Sequence, residues 1–521
     1  MRTENKEREK TWQNKAVIRS KTIKSLKKEV GRQKGRADKW RARSKSLEGQ
    51  LLELQGQSCS NAVIEQELGA VSKPKRVESG KQDMSLKGYK FPLSVMWLCL
   101  NLYKAGLSLR GVVGVLIFIR GYLGLNYEIP SYGTVRLWIQ KTGLYLLEKG
   151  GKLGSKIGEQ WCFIVDESHS LGKSQLLVIL GVRLNSLKLG EALSHHQVQP
   201  LLIQSRVTWK QEDVAEALKQ AQQKVGGTIS YVVSDRGGNL VGAYQQIGIP
   251  HVPDWGHYVA NILEKCYAQE DDFKLFNEKM GAFKKKRKQS RFTEYTPPNL
   301  SVKIRFMNYL PFLDWANIML TNFKDIPKEI VEELEFLQTL KPFIGEMTDL
   351  FYAGDKIGLL LKKQGISPHS RAQAKQMLQT LTQKYPDNSR VKIFCDQVSL
   401  YFETTCPIYL NMCQNNSQQN GQLPPFAKPL VASSDVIESL FGKLKHRTLK
   451  DPKRGFSPIA LVLSLFCRSF SPLDVLKALS EVNSNKLNAW IRHNMPTKKY
   501  TSFRNVFKAK TKNGGTFGTR T

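Results

Sequence analysis

The chain has 521 residues, of which 41% are hydrophobic; that is too many for one core and predicts about two to four domains. A formal charge of +34 calls for a polyanionic partner. No apolar run approaches the roughly 18–20 residues that span a bilayer, and the N-terminus is a charged run rather than a secretory signal, so a membrane is the weaker partner and an intracellular location is expected. The eight cysteines contain no C-x-x-C pair, so neither a disulfide framework nor a structural zinc site is expected.

Residues 1–56 are basic and polar, with apolar or small residues at Ile23, Leu26, Val30, Ala37, Trp40, Leu47, Leu51 and Leu54. These positions fit the seam of a coiled coil, interrupted by Gln33 and Ser44; a solvated basic helix that folds only on DNA is the alternative. Residues 57–88, with Pro74 and Gly80 among charges, read as a linker. Three helical signals follow over 89–150: Pro92 to Ala105, a segment capped by Ser108, and a third opened by Pro130-Ser131 with Val135, Trp138 and Ile139 inward. Such a trio predicts a helix-turn-helix-like DNA-binding unit, with Tyr132, Arg136 and Gln140 on the outward face of its last helix. Arg and Gln can read guanine and adenine edges in pairs of hydrogen bonds, although three short helices also form plain bundles.

The run Trp161 to Asp166, five apolar residues ending in a carboxylate, predicts a strand buried on both faces. Leu176 to Val182 and Val198 to Ile203 are further strands, and Pro200 marks the latter as an edge. Thr208 and Gln211 have capping-box spacing before a helix that Gly226-Gly227 ends. Ile229 to Asp235 repeats the first design, an apolar strand ending in an acid, and Arg236-Gly-Gly238 turns the chain. A helix over Asn239 to Gln246 and a strand over Ile249 to Val252 lead to Asp254-Trp-Gly-His257 and another helix. Much later, Ser433 to Lys445 reads as a helix with Ile437, Leu440, Phe441 and Leu444 on its apolar face and Glu438 off it.

Three carboxylates on three elements are thereby proposed to converge. Asp166, Asp235 and Glu438 would hold two divalent ions, Mg²⁺ or Mn²⁺, because hard cations take oxygen ligands. Each acid also has an ordinary reading: Asp166 as a turn cap, Asp235 as the Asp of a surface Asp-Arg-Gly turn, and Glu438 as the partner of Asp435 in a capping box. Glu167 should point away from the site, since successive strand residues face opposite ways. His257 is expected to act beside the ligands, with Asp254 orienting it or capping its helix, and Lys445, seven residues beyond Glu438, to hold a phosphate. The run Lys284, Lys285, Lys286, Arg287 and Lys288 is either part of a DNA clamp or a solvated face or import signal.

Three strands, a helix, then strand-helix-strand-helix is the order of the RNase H-like fold. With Ser234-Asp235-Arg-Gly237 and Glu438-Ser-Leu-Phe-Gly-Lys-Leu-Lys445 in the matching places, the chain resembles a DDE transposase of that class. Asp254-Trp-Gly-His257 is similar to the (Cys/Asp)-x-x-His signature of several transposase superfamilies, hAT-like ones among them. The resemblance spans roughly residues 160 to 450. It implies an α/β, RNase H-like mixed five-stranded sheet with a large, mostly helical insertion, preceded by an N-terminal coiled coil and the helix-turn-helix-like unit. The core would comprise residues 158–264 and 431–495, the insertion 265–430, and a basic tail 496–521. Where hairpin-forming relatives carry Tyr and Arg upstream of the Glu, this chain has Val431 and Ser434.

The leading expectation is therefore a DNA transposase that binds terminal repeats of its element, cuts and joins DNA with two metal ions, and works as a homo-oligomer in the bacterial cytoplasm and nucleoid or in a nucleus. Arg236, beside Asp235, is expected to contact DNA as well. The alternatives are a domesticated DNA-binding protein without catalysis and a structure-selective nuclease on the same fold.

Overall fold

The computed structural model describes residues 90–124, 127–150, 159–169, 174–188, 190–299, 306, 308–420, 429–447 and 456–495. The expected coiled coil (1–56), linker (57–88) and basic tail (496–521) lie outside the described residues. The fold is mixed α/β, mostly helical, around one five-stranded sheet. Among the described residues no helix is long and apolar enough to cross a membrane.

Three helices come first: α1 (Leu93–Lys104), α2 (Leu109–Leu123) and α3 (Tyr132–Lys149). Ser108 and Ser131 cap α2 and α3 by accepting hydrogen bonds from the Gly111 and Thr134 N–H groups. The sheet follows, with β1 (Gln160–His169), β2 (Gln175–Arg183), β3 (Val198–Arg206), α4 (Gln211–Val225), β4 (Thr228–Ser234), α5 (Gly238–Ile247), β5 (His251–Pro253) and α6 (Trp255–Tyr267). Its order is β3-β2-β1-β4-β5; β1, β2 and β3 are antiparallel, whereas β4 and β5 run parallel to β1. Pro200 lies on the edge strand, as expected.

Alternation along β1 divides the core. Trp161, Phe163 and Val165 pack with Val214, Leu218, Leu240 and Tyr244 of α4 and α5. Cys162 and Ile164 face the larger cluster, which includes α3 and the C-terminal helices. A strand buried on both faces must be apolar at every position, which is why Trp161 to Val165 is an unbroken run. The strand does not stop at Asp166, because β2 continues to pair with it as far as His169 opposite Gln175. Nor does the Thr208–Gln211 box form. Trp209 is buried and donates its backbone N–H to Gln175 Oε1, and α4 starts beyond it, with Asp213 accepting the Lys210 N–H.

Residues 265–430 are mostly helical, as anticipated: α7 (Asp271–Arg287), α8 (Leu310–Thr321), α9 (Lys328–Leu334), α10 (Phe336–Thr339), α11 (Lys341–Gln364), α12 (Pro368–Lys384) and α13 (Ser389–Asn420). Ile330, Leu334, Leu337 and Phe343 are all buried. Glu346 of α11, also buried, is clasped by Arg390, Asn388 and the Tyr267 hydroxyl, an ion pair joining three helices. The chain re-enters the core where Leu430 bridges Ile366. It ends with α14 (Asp435–Arg447), α15 (Val462–Phe466), α16 (Pro472–Glu481) and α17 (Ser484–Asn494).

These last helices correct one sequence expectation. Gln140 is not on an outward face: it is 7% exposed, and α3 is buried along most of its length from Val135 to Leu147. The reason is packing by chain more than 300 residues downstream: α15, α16 and α17 all lie against α3. The Trp97 indole and the Lys104 ammonium donate to the Phe470 and Arg468 carbonyls. Tyr132 and Arg136, in the first turns of α3, are exposed.

Candidate active site

Asp166 and Asp235 reach the same place by register. Ile164 pairs with Val233 across the parallel strands β1 and β4; Asp166 lies two residues further along β1 and Asp235 directly follows the end of β4 at Ser234, so the two acids stand at the same end of this strand pair. Asp166 shares the strand face of Cys162 and Ile164, and α14 packs over β1. Ile437, Leu440 and Leu444 fill that contact, which leaves Glu438 partly exposed at its edge. Glu167 points to the other face, where Asn239 donates to its carboxylate at 2.6 Å.

Electrostatics records the convergence. Burial and then the neighbouring Asp235 charge, with a further contribution from Glu438, push Asp166 up to about 7, although its Oδ1 accepts the Glu167 N–H at 2.7 Å. Asp235 Oδ1 accepts the Gly237 N–H at 3.2 Å. Glu438 Oε1 lies 3.2 Å from His257 Nε2. That hydrogen bond, together with the charges of Asp254 and Asp235, outweighs burial and raises His257 to about 9, so it is an imidazolium at neutral pH. Glu438 bonds this ring rather than the N–H groups of its own helix start, where the Asp435 N–H goes to the Ser433 hydroxyl and the Ile437 N–H to the Ser434 carbonyl.

The turn that carries His257 is a junction. Asp254, 2% exposed, caps α6 by accepting the His257 N–H at 2.9 Å through Oδ1. Its Oδ2 takes the Ser434 N–H at 2.6 Å and the Ser434 hydroxyl at 3.0 Å. The Trp255 N–H donates to the Ala432 carbonyl, and the Tyr231 hydroxyl of β4 receives the Val431 N–H. Positions 431 and 434, which depart from the Tyr and Arg of hairpin-forming transposases, therefore dock the approach to α14 onto the sheet. The insertion grips the same turn: the Trp255 indole donates to the Gly354 carbonyl and sits against Gly358, where a Cβ would come within 3.0 Å of it. Tyr258 donates to the Gln397 carbonyl and Tyr401 to that of Pro253.

The other expected positions are less central. Arg236 is exposed beside Asp235, its guanidinium over the Tyr258 ring. Lys445 is exposed further along α14, above Phe441. In the basic run, Lys286 and Arg287 clasp Glu333 of α9 and Lys284 donates to the Pro298 carbonyl. Those three side chains tie α7 to its neighbours, although Lys286 is as exposed as Lys285 and Lys288 and only Lys284 and Arg287 are half-buried. Sequence pattern does not single out Ser434, Trp255 or Tyr231 for a part in this junction. The one signal for Ser434 is its place four residues before Glu438; the two aromatics carry none outside the fold.

Asp166, Asp235 and Glu438 have no Lys or Arg paired to them among the described residues, and Asp166 is held well above its ordinary proton affinity by burial and then by the charge of Asp235; such a donor set suits hard divalent ions. Among the described residues no three His, Cys, Asp or Glu side chains are gathered closely enough to hold an ion as they stand. Mutual repulsion and the engagement of Glu438 with His257 both act in that direction. No family model matches the chain, and no curated protein matches it.

Proposed function

We propose that the chain is a DNA transposase of the RNase H-like class, which cuts and joins DNA strands at the ends of its element and acts as a homo-oligomer. The observation that carries this reading is that Asp166 on β1 and Asp235 just beyond β4 stand at the same end of two adjacent parallel strands, with α14, which carries Glu438, packed against β1. The strand order, antiparallel for β1 to β3 and parallel for β4 and β5, supports the fold assignment, and the +34 charge supports a nucleic-acid substrate.

Asp166, Asp235 and Glu438 would hold two Mg²⁺ or Mn²⁺ ions. When bound, the ions would activate a water or 3′-hydroxyl nucleophile and stabilise the leaving 3′ oxygen at phosphorus. The protein's own residues supply the rest. Asp254 fixes the backbone of both His257 and Ser434, and so aims the two side chains carried by α6 and α14. The His257 imidazolium places a positive charge next to Glu438, within reach of a phosphate oxygen entering the site. Arg236 and Lys445 line the approach with positive charge and hold the DNA backbone without reading sequence. The test is nicking of labelled DNA carrying element ends, in Mg²⁺, Mn²⁺ or EDTA. Asp166→Ala, Asp235→Ala and Glu438→Ala should each abolish cleavage and spare DNA binding; metal-dependent nicking by any of them would refute that residue's assignment.

A further inference from the structure

Helix α2 carries an apolar face that no described part of the chain covers. Ile117, Phe118, Tyr122 and Leu123 are 51, 68, 77 and 58% exposed. The Phe118 and Tyr122 rings stack with centroids 5.7 Å apart. Single exposed apolar side chains are ordinary, but Ile117, Phe118 and Tyr122 lie together on one side of the helix and mark a contact surface, whereas Leu123, seven residues after Leu116, ends the buried side. The opposite side of α2, with Val112 and Leu116, is fully buried in the core, so the helix is held in place and the exposed side is not a fraying end.

The shape of this face points to its partner. Arg110, Gly114, Phe118 and Tyr122 recur every four residues and form one ridge, with Ile117 and Gly121 alongside. Glycine weakens a helix interior by about 1 kcal/mol relative to alanine. Nothing among the described residues requires it at Gly114 or Gly121, since a Cβ at either would meet no described atom within 4 Å. The result is a row of rings and notches open to the outside.

We propose that this face joins two copies of the chain, the two α2 helices crossing antiparallel about a twofold axis at Phe118. In that arrangement Phe118 meets its own counterpart, and Tyr122 of each copy lies over the notch at Gly114 of the other. A twofold contact requires a self-complementary surface, and the alternation of ring and notch about Phe118 provides one. The three side chains offer roughly 400 Å² per copy, or roughly 800 Å² in total, the size of a weak, transient contact. The pair should therefore form at micromolar concentration rather than permanently. Cations lie only at the margins of the face, where Arg110 rests over the Tyr132 ring, so its chemistry suits an apolar surface better than a phosphate backbone. The proposal stands whether or not the protein cuts DNA.

Oxidative cross-linking of the full chain tests it directly. Phe118→Cys should form a reductant-reversible covalent dimer at least tenfold faster than Leu473→Cys, an exposed control on α16, with wild type reporting on the native thiols. Gly114→Leu should raise the thermal midpoint of the monomer and yet weaken self-association in sedimentation velocity by at least tenfold, because it improves the helix and fills the notch. A Phe118→Cys rate no greater than that of the control overturns the proposal. So does a disulfide that closes within one chain, which would make another segment of the same molecule the occupant, and so does Gly114→Leu self-association equal to wild type.

Discussion

Replacing Asp166 by Asn should make the metal-free protein more stable at pH 8. The folded protein raises this carboxyl from its ordinary 3.8 to about 7, chiefly through burial and the charge of Asp235. The native state then binds the proton more tightly than the unfolded chain, so stability falls as pH rises from about 4 to about 7 and levels off above that. At 1.36 kcal/mol for each tenfold change in proton affinity, the plateau is about 4 kcal/mol. This is an upper figure, because the side chain keeps some contact with water. Asn has nearly the same size and can still accept the Glu167 N–H, so packing changes little while the charge is removed. Urea unfolding in EDTA should therefore show Asp166→Asn more stable than wild type by up to about 4 kcal/mol at pH 8 and nearly equal to it at pH 4. Added Mg²⁺ should stabilise wild type more than the variant and narrow the gap. A variant less stable than wild type at pH 8 would refute the argument that burial and the charge of Asp235 disfavour an ionised Asp166.

Gly143→Ala should destabilise by about 2–3 kcal/mol, since the new Cβ would fall on the Leu461 carbonyl and force α3 away from the C-terminal helices; thermal unfolding measures it. Arg390→Ala leaves the buried Glu346 without its main partner and should cost about 3–5 kcal/mol, read from urea midpoints, whereas a loss below about 1 kcal/mol would show that water reaches the pair. Lys445→Ala should weaken DNA binding similarly for all sequences and lower the slope of log K against log salt by about 1. An unchanged slope would place that lysine off the DNA path.

The parts of the fold that rest on local pattern are legible in the sequence. An unbroken apolar run such as Trp161 to Val165 can satisfy only a strand covered on both faces, and period-two geometry then sends Asp166 and Glu167 to opposite sides. The same reasoning finds Pro200 at the sheet edge and the helical character of residues 265–430. It fails at Gln140, because outward position on an isolated helix says nothing of what arrives later in the chain. It fails at the Thr208 cap because Trp209 has a better place in the core, and core packing outweighs a single capping bond. In the basic run, charge alone does not distinguish Arg287, half-buried against Glu333, from Lys285 and Lys288, which face solvent.

By itself, then, the sequence determined which described segments are strands and helices, and it supplied the net charge and the three acids on which the proposed function rests. These follow from periodicity and charge, which act over a few residues or over the chain as a whole. Only the tertiary structure decided that His257 bonds Glu438, that Asp254 seats Ser434, and that Trp255 locks the insertion to the turn between them. Each of those contacts joins residues about 100 to 180 positions apart, and no local preference encodes such a distance; it is set by how the sheet and the helical insertion close on the same buried turn.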